Sequence, residues 1–306
     1  MLRAFFISLS SSKTMRALAE KSAVGRRLSR RFVAGTQPED ALRIAQSLND
    51  RHLAVSIDNL GENVTTEQEA RASAQLYEHL LDEITARQLN ANVSLKLTHM
   101  GLDFDAELAY KLVFDLVAKA KSVSPPSFVR VDMEGSVYTE RTLELVRELH
   151  KQAPGCVGAV IQSYMRRSEA DVEALLNARI RIRLCKGAYK EPAEIAFQKK
   201  SEVDANYVRL MKVLLKSGIY HGLATHDARI IGKAKAFAIR EDIARDAFEF
   251  QMLHGIRRDL QRKLVREGWR MRVYVPFGSE WYPYLMRRLA ERPANVFFLM
   301  RNMLRK

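Results

Sequence analysis

At 306 residues, with 47% hydrophobic and 28% charged side chains, the chain has the composition of a folded protein with ample material for a core and no extended disorder. Two cysteines, Cys156 and Cys185, are too few for a disulfide framework and fit a reducing compartment, and no run approaches the roughly 20 apolar residues of a bilayer span. The net charge of +14 sits at the ends: residues 1–35 carry eight Lys/Arg against one acid and residues 252–306 thirteen against four, and no zinc-finger spacing, RNP-like strand or Gly-rich RNA loop accompanies it, which argues against nucleic acid as a partner.

In chain order, the N-terminal stretch MLRAFFISLSSSKTMRALAEKSAVGRRLSRRF is Arg-rich and acid-poor like a transit peptide, but lacks the apolar core and small-residue cleavage site of a secretory signal. It reads as one or two amphipathic helices within a helical segment over 1–50. Short apolar or alternating runs rich in β-branched residues follow: LAVSIDNL from 53, ANVSLKLT from 91, FVRVDME from 128, VGAVIQSY from 157, RIRLCKG from 181, GLATH from 222, FEFQML from 248 and MRVYVPF from 271. Both cysteines lie at these strand segments and read as buried thiols. The intervening segments, such as TTEQEARASAQLYEHLLDEITARQL and TERTLELVRELHKQ, space apolar residues by three and four and start near threonine caps. Eight strand-helix units predict an α/β fold, a closed parallel barrel over 51–295 in a single domain spanning 1–306. An open doubly wound sheet is the alternative, disfavoured by the absence of a Gly-rich dinucleotide turn after the first strand. In the last segment, PANVFFLMRNMLRK, residues 296–306 are expected to form an amphipathic helix. Phe297, Phe298 and Leu299 pack on the barrel or a partner, or the helix seats on an anionic membrane, and the two readings stay open.

Barrel chemistry collects where strands end, and those ends are polar. They offer Asp58 and Glu62, Lys96, Asp132 and Glu134, Gln162, Arg183 and Lys186, Thr225 and His226, Gln251, and Tyr274. Singly these have plain explanations: Lys96 with Asp132 as a buried ion pair, His226 as a hydrogen-bonded cap, the Arg287–Arg288 doublet in WYPYLMRRLAER as a solvent-facing pair. Together they need a ligand or a network to satisfy them. Histidine pairs at metal-ligand spacing and a nucleophile elbow are both lacking, so neither a metal centre nor acyl transfer is expected. What is left is a cationic pocket suited to a small carboxylate and a phosphate-bearing cofactor. A barrel lyase or aldolase forming a Schiff base on Lys96 or Lys186 is the alternative chemistry.

Read together, SLKLTHMGL, VRVDMEGS, VIQSYMRR, RLCKGAYKEP, ATHD, FEFQMLHGI and YVPFGSEWYPYLMRRLAERP resemble the FAD-dependent proline dehydrogenase (proline oxidase) family, above all its short monofunctional bacterial members. The resemblance implies a distorted (βα)8 TIM barrel with N-terminal helices, the last barrel helix lying over the mouth, and FAD across the C-terminal strand ends. Carried over to matching positions, Lys96, Arg287 and Arg288 grip the proline carboxylate, and Tyr274, Tyr284 and Leu253 pack the pyrrolidine ring. Arg183 hydrogen-bonds near flavin N5, while Met133, Gln162, Lys186, Gly187, Ala188, Thr225 and His226 hold the cofactor. Asp132 is the active-site carboxylate and orients Lys96 and Arg183, and Glu62 pairs with Arg287 when the lid closes. The implied reaction is hydride transfer from L-proline to flavin N5, giving Δ1-pyrroline-5-carboxylate, with a respiratory quinone as acceptor. The implied setting is cytoplasmic, with peripheral seating on the inner membrane as a further reading of the basic ends; the oligomeric state stays open. His99 and Lys190 fall at variable positions, and His254 is unassigned and reads as peripheral.

Overall fold

Alternation and β-branching place eight strands: β1 (Ala54–Asn59), β2 (Ala91–Leu95), β3 (Val129–Val131), β4 (Val157–Gln162), β5 (Arg181–Cys185), β6 (His221–Ala224), β7 (Phe248–Leu253) and β8 (Arg270–Phe277). In the computed structural model, whose described residues are Met15 and 22–291, they pair in parallel and in chain order into a closed barrel. The closing pair joins Ala54–Asn59 of β1 to Arg272–Phe277 of β8, which rules out the open sheet. Most of the N-terminal stretch and the expected helix over 296–306 lie outside the described residues.

Ten helices are described: α1 (Ala23–Phe32), α2 (Pro38–Asn49), α3 (Glu67–Ala86), α4 (Ala106–Ser122), α5 (Thr139–Gln152), α6 (Ser168–Asn177), α7 (Lys200–Lys216), α8 (Ala228–Arg240), α9 (Arg258–Arg266) and α10 (Trp281–Glu291). Side-chain oxygens satisfy free N–H groups at their starts: Thr66 accepts from Glu69 N at 3.2 Å, Asp105 from Leu108 N at 2.9 Å and Asp227 from Arg229 N at 3.0 Å. Among the described helices none is long and apolar enough to cross a membrane.

The displacement of the last helix has a visible cause. Helix α2 buries Ala41, Leu42 and Ala45 against β1 and β8, taking the wall position that the helix after β8 would otherwise fill. Helix α10 instead stays at the mouth. Its Trp281, Tyr282, Tyr284 and Leu285 bury against Phe32, Val33 and Leu60, with Ile256 alongside. Backbone bonds Leu60 N to Phe277 O (2.7 Å), Ala34 N to Pro276 O (2.9 Å) and Gly278 N to Gly35 O (2.9 Å) fasten the N-terminal crossing to the end of β8.

The two faces of the strands differ sharply. Outward residues such as Val55, Ile57, Val93, Leu95, Ile182, Phe250 and Val273 are buried under the helices in one apolar core, where truncation of a leucine-sized side chain costs about 2–5 kcal/mol. Inward residues are mostly polar. Cys156 is buried, whereas Cys185, expected to be buried, is half-buried at the edge of the core because it closes β5.

Near the bottom of the barrel these inward groups bond to one another and to strand carbonyls, with only Arg130 Nε left over among them. Glu249 of β7 accepts from Arg272 Nε (2.6 Å), Gln251 Nε2 (2.6 Å) and Tyr220 OH (2.9 Å), and Arg272 also donates to Val55 O (2.7 Å). Arg130 of β3 donates to the Ala159 and Arg181 carbonyls at 2.9 and 2.8 Å, with its guanidinium 4.6 Å from the Phe128 ring centroid. This layer forms a floor, leaving the opposite end for chemistry.

Candidate active site

The register sets the site. Asp58 of β1 lies beside Ser94 of β2, so the next inward residue beyond β2, Lys96, rises past both. Its ammonium reaches Asp58 Oδ1 and Oδ2 at 3.1 and 3.2 Å. Burial alone would lower the Lys96 pKa, but Asp58, Asp132 and Glu62 outweigh it and hold the ammonium above the ordinary lysine range. Asp58 shifts the other way: burial pushes its carboxyl up to about 6, opposed by Lys96 and reinforced by Asp132.

Asp132 follows β3, and three donors converge on it. They are Arg183 NH1 of β5 at 2.7 Å, Ser94 Oγ at 2.8 Å and Tyr274 OH of β8 at 2.8 Å. The Arg183 guanidinium also reaches Ser94 Oγ (3.1 Å) and Ser56 Oγ (3.3 Å) and lies 5.1 Å from the Tyr274 ring centroid. Burial and the Asp132 and Asp58 carboxylates push the Tyr274 phenol well above its usual value, so it stays a donor. The hydrogen-bonded partner of Lys96 is thus Asp58, and Asp132, expected to orient both Lys96 and Arg183, reaches Lys96 only through its field.

Most of the remaining predicted residues fall into three groups at or just beyond the ends of the strands. Gln162, at the end of β4, donates to the carbonyls of Glu134 (2.8 Å) and Met133 (3.4 Å), tying the loops after β3 and β4 together. His226 Nε2 accepts from Leu253 N at 3.0 Å, which fixes the tautomer with hydrogen on Nδ1 and joins the ends of β6 and β7 beside buried Thr225. Lys186 pairs with Asp204 at 2.6 Å and Asp227 at 3.2 Å, at the start of an exposed loop that includes Gly187 and Ala188. Gly187 has φ +108, and a Cβ there would strike the Tyr164 ring, so only glycine lets this backbone pass. Half-buried Glu62 follows β1, and Tyr284 is on the buried face of α10. Arg287 and Arg288 fall in α10, with side chains outside the described residues.

Several contributors escaped the sequence reading. Ser56, Ser94 and Tyr77 were not singled out, although the inward alternation S-x-D in β1 and S-x-K after β2 carries a signal for the serines. Asp58 is legible in the sequence as a strand end, but its pairing with Lys96 is not. His99 is buried against Gly61 and lowered to about 4 by burial and then by Lys96, so it is a neutral neighbour of the cluster. His254, read as peripheral, is buried, lowered to about 4 by burial, and its N–H donates to Tyr274 O at 2.8 Å.

The arrangement is a buried, charge-matched cluster at the mouth of a barrel, ringed by amide, hydroxyl, imidazole and cationic groups. A family model described as proline dehydrogenase matches residues 41–301. The chain belongs to the proline dehydrogenase family. It is 42% identical to proline dehydrogenase 1 of Bacillus subtilis (strain 168) over the full length of both chains. It is 41% identical to proline dehydrogenase of Deinococcus radiodurans over 91% of this chain and 90% of that one. Among solved structures, proline utilization A from Bdellovibrio bacteriovorus inactivated by N-propargylglycine superposes with a TM-score of 0.83 at 25% identity, covering 95% of this chain and 36% of that one.

Proposed function

We propose that the chain is an FAD-dependent proline dehydrogenase of proline catabolism, oxidising L-proline to Δ1-pyrroline-5-carboxylate in the barrel mouth. Membership of the family together with the Asp132–Arg183–Tyr274 and Asp58–Lys96 cluster supports this reading. The strand-end lysines argue against the lyase alternative: a Schiff base needs a neutral amine, and Asp58 holds Lys96 as an ammonium while Lys186 is ion-paired with Asp204 and Asp227.

The residues present fit the cofactor. Arg183 Nε is buried without a hydrogen-bond partner among the described residues, a donor left over beside the cluster. The glycine-dependent turn at Gly187 exposes backbone next to Lys186, as a phosphate-binding loop requires. In the proposal Arg183, Met133, Gln162, Lys186, Gly187, Ala188, Thr225 and His226 hold FAD. The chemistry FAD supplies when bound is acceptance of hydride from the carbon next to the proline nitrogen.

The protein's part is placement and charge. Lys96, Arg287 and Arg288 bind the carboxylate, and Tyr274, Tyr284 and Leu253 enclose the ring. Asp132 locks Arg183 and Tyr274 in place instead of taking a proton. Glu62 pairs with Arg287 as α10 closes. The amine must be neutral before it can release hydride, and surrounding cations favour that form. A respiratory quinone is the proposed acceptor; the paucity of cysteines fits a cytoplasmic setting, and the basic ends would favour peripheral seating on the anionic inner membrane.

The test is anaerobic addition of L-proline to the yellow holoprotein, with Arg288→Met in parallel. Bleaching of the parent and a much higher proline requirement in the variant are expected. A parent that L-proline leaves unbleached overturns the assignment.

A further inference from the structure

Tyr77 belongs to α3, on the outside of the barrel, yet its hydroxyl passes between two strands. It is fully buried, donates to Ser94 O of β2 at 3.0 Å, accepts from Asn59 N of β1 at 3.1 Å and lies 3.5 Å from Asp58 Oδ1. These contacts fall where the β1–β2 ladder stops: the last registered pair is Asp58 with Ser94, and Lys96 already caps a 3-10 turn over Leu97–Met100. One hydroxyl therefore substitutes for the missing ladder bond and holds together the two strand ends that carry Asp58 and Lys96.

Asp58 is the second element of the device. It is 1% exposed and offers both oxygens to Lys96, whose side chain is 12% exposed at the mouth. Its surroundings are Lys96 on the β2 side, Asp132 on the β3 side, Tyr274 from β8 and Tyr77 from α3, with Glu62 acting on the same lysine. Arg183, the other cation of the cluster among the described residues, is committed to Asp132 and the two serines. No other carboxylate hydrogen-bonds Lys96 among the described residues.

We propose that Tyr77 and Asp58 are positioning residues for proline binding: the tyrosine hydroxyl pins the ends of β1 and β2, and the Asp58 carboxylate so held fixes the Lys96 ammonium where it meets the substrate carboxylate. The proposal rests on the assignment of Lys96 to that carboxylate. It implies that proline binding weakens when Asp58 gains a proton, because a neutral carboxyl no longer holds the ammonium by charge-assisted bonds. The raised carboxyl of Asp58 puts that loss near the acid edge of the working range.

The experiment compares parent holoenzyme, Asp58→Asn, Tyr77→Phe and Lys96→Met, and the combinations of the first two with Lys96→Met, from about pH 5 to 9. The expected result is a KM for L-proline raised about tenfold in Asp58→Asn and severalfold in Tyr77→Phe, in each case by more than kcat falls, a change equal to one weakened charge-assisted contact. An acid limb in kcat/KM near pH 6 in the parent is absent from Asp58→Asn. In the Lys96→Met background both substitutions leave KM nearly unchanged. Melting curves follow folding, and Tyr77→Phe keeps the buried ring should Asp58→Asn fold poorly. Equal KM increases with and without Lys96 identify a merely structural role and overturn the proposal, as do parental KM and acid limb in Asp58→Asn. An unaltered KM in Lys96→Met alone instead defeats the assignment on which the proposal stands.

Discussion

Removal of Asp132 separates positioning from proton transfer. Its carboxylate receives hydrogen bonds of 2.7, 2.8 and 2.8 Å from Arg183, Ser94 and Tyr274. Asp132→Ala deletes all three and leaves the Arg183 guanidinium with only two serine hydroxyls, at 3.1 and 3.3 Å. Breaking one side of a buried ion pair costs about 3–5 kcal/mol, and if most of that is felt in the hydride-transfer step the rate of flavin reduction falls about 10²–10³-fold. Asp132→Asn keeps the shape and one acceptor oxygen for Arg183. Loss of about tenfold is expected there, the scale of a single charge-assisted hydrogen bond made neutral. In both variants the limiting reduction rate should drop more than proline affinity, since Asp132 is assigned no contact with the substrate carboxylate. Anaerobic stopped-flow bleaching over a range of proline concentrations gives the two quantities separately. An Asn variant as slow as the Ala variant refutes the positioning role, because only a group that accepts the proton is abolished equally by both changes.

The floor of the barrel makes a contrasting prediction. Glu249→Leu strands Arg272 in the interior and should cost about 3–5 kcal/mol, roughly ten degrees in Tm, while Glu249→Leu with Arg272→Met recovers much of it; additive losses in thermal melts would refute this. The pH dependence of stability follows from three buried imidazoles: burial lowers His99 and His254 to about 4 and His221 to about 3. Each is depressed in the folded state, so the unfolded chain binds more protons below about pH 6.5, and stability falls as pH drops from there toward 4. Asp58, raised to about 6, works the other way over roughly pH 6 to 4 and offsets one of the three. Urea midpoints should therefore fall between about pH 6.5 and 4 with a slope near two protons, and a flat profile would contradict the burial of these groups.

The barrel was legible because eight β-branched runs at regular spacing admit few topologies, and the polar residues closing those runs had to meet at one end. Which of them pair was less visible. Lys96 rises between Asp58 and Asp132 on neighbouring strands, and adjacency alone favours neither. The choice is made from across the barrel, where Arg183 arrives from β5 and takes Asp132. Tyr77 gave no signal at all, since a tyrosine on the apolar stripe of a helix reads as core and only its hydroxyl reveals more. The placement of α2 was hidden for a similar reason: amphipathicity predicts that a helix packs, but not that its partners are β1 and β8. The floor does leave a signal, because FEFQML, RIRLC and RMRVYV alternate polar and apolar residues where a doubly buried strand would be apolar throughout.

The charge balance of the mouth gives α10 a specific place in the chemistry. In the mouth cluster, the cations Lys96 and Arg183 are matched by Asp58 and Asp132, so this cluster alone is close to neutral. A neutral cluster offers a zwitterionic amino acid no net reason to release its ammonium proton. Under the proposed function the excess positive charge arrives with Arg287 and Arg288 on α10, the helix held at the mouth because α2 fills its wall position. Carboxylate capture and loss of the amine proton then become consequences of one movement, and because Glu62 pairs with Arg287 on closure in that reading, the excess charge left to act on the amine is chiefly that of Arg288. Proton release on proline binding, followed with a weakly buffered indicator dye, should accordingly disappear in Arg288→Met even at proline concentrations that saturate it. Undiminished release there would locate the driving charge in the barrel itself.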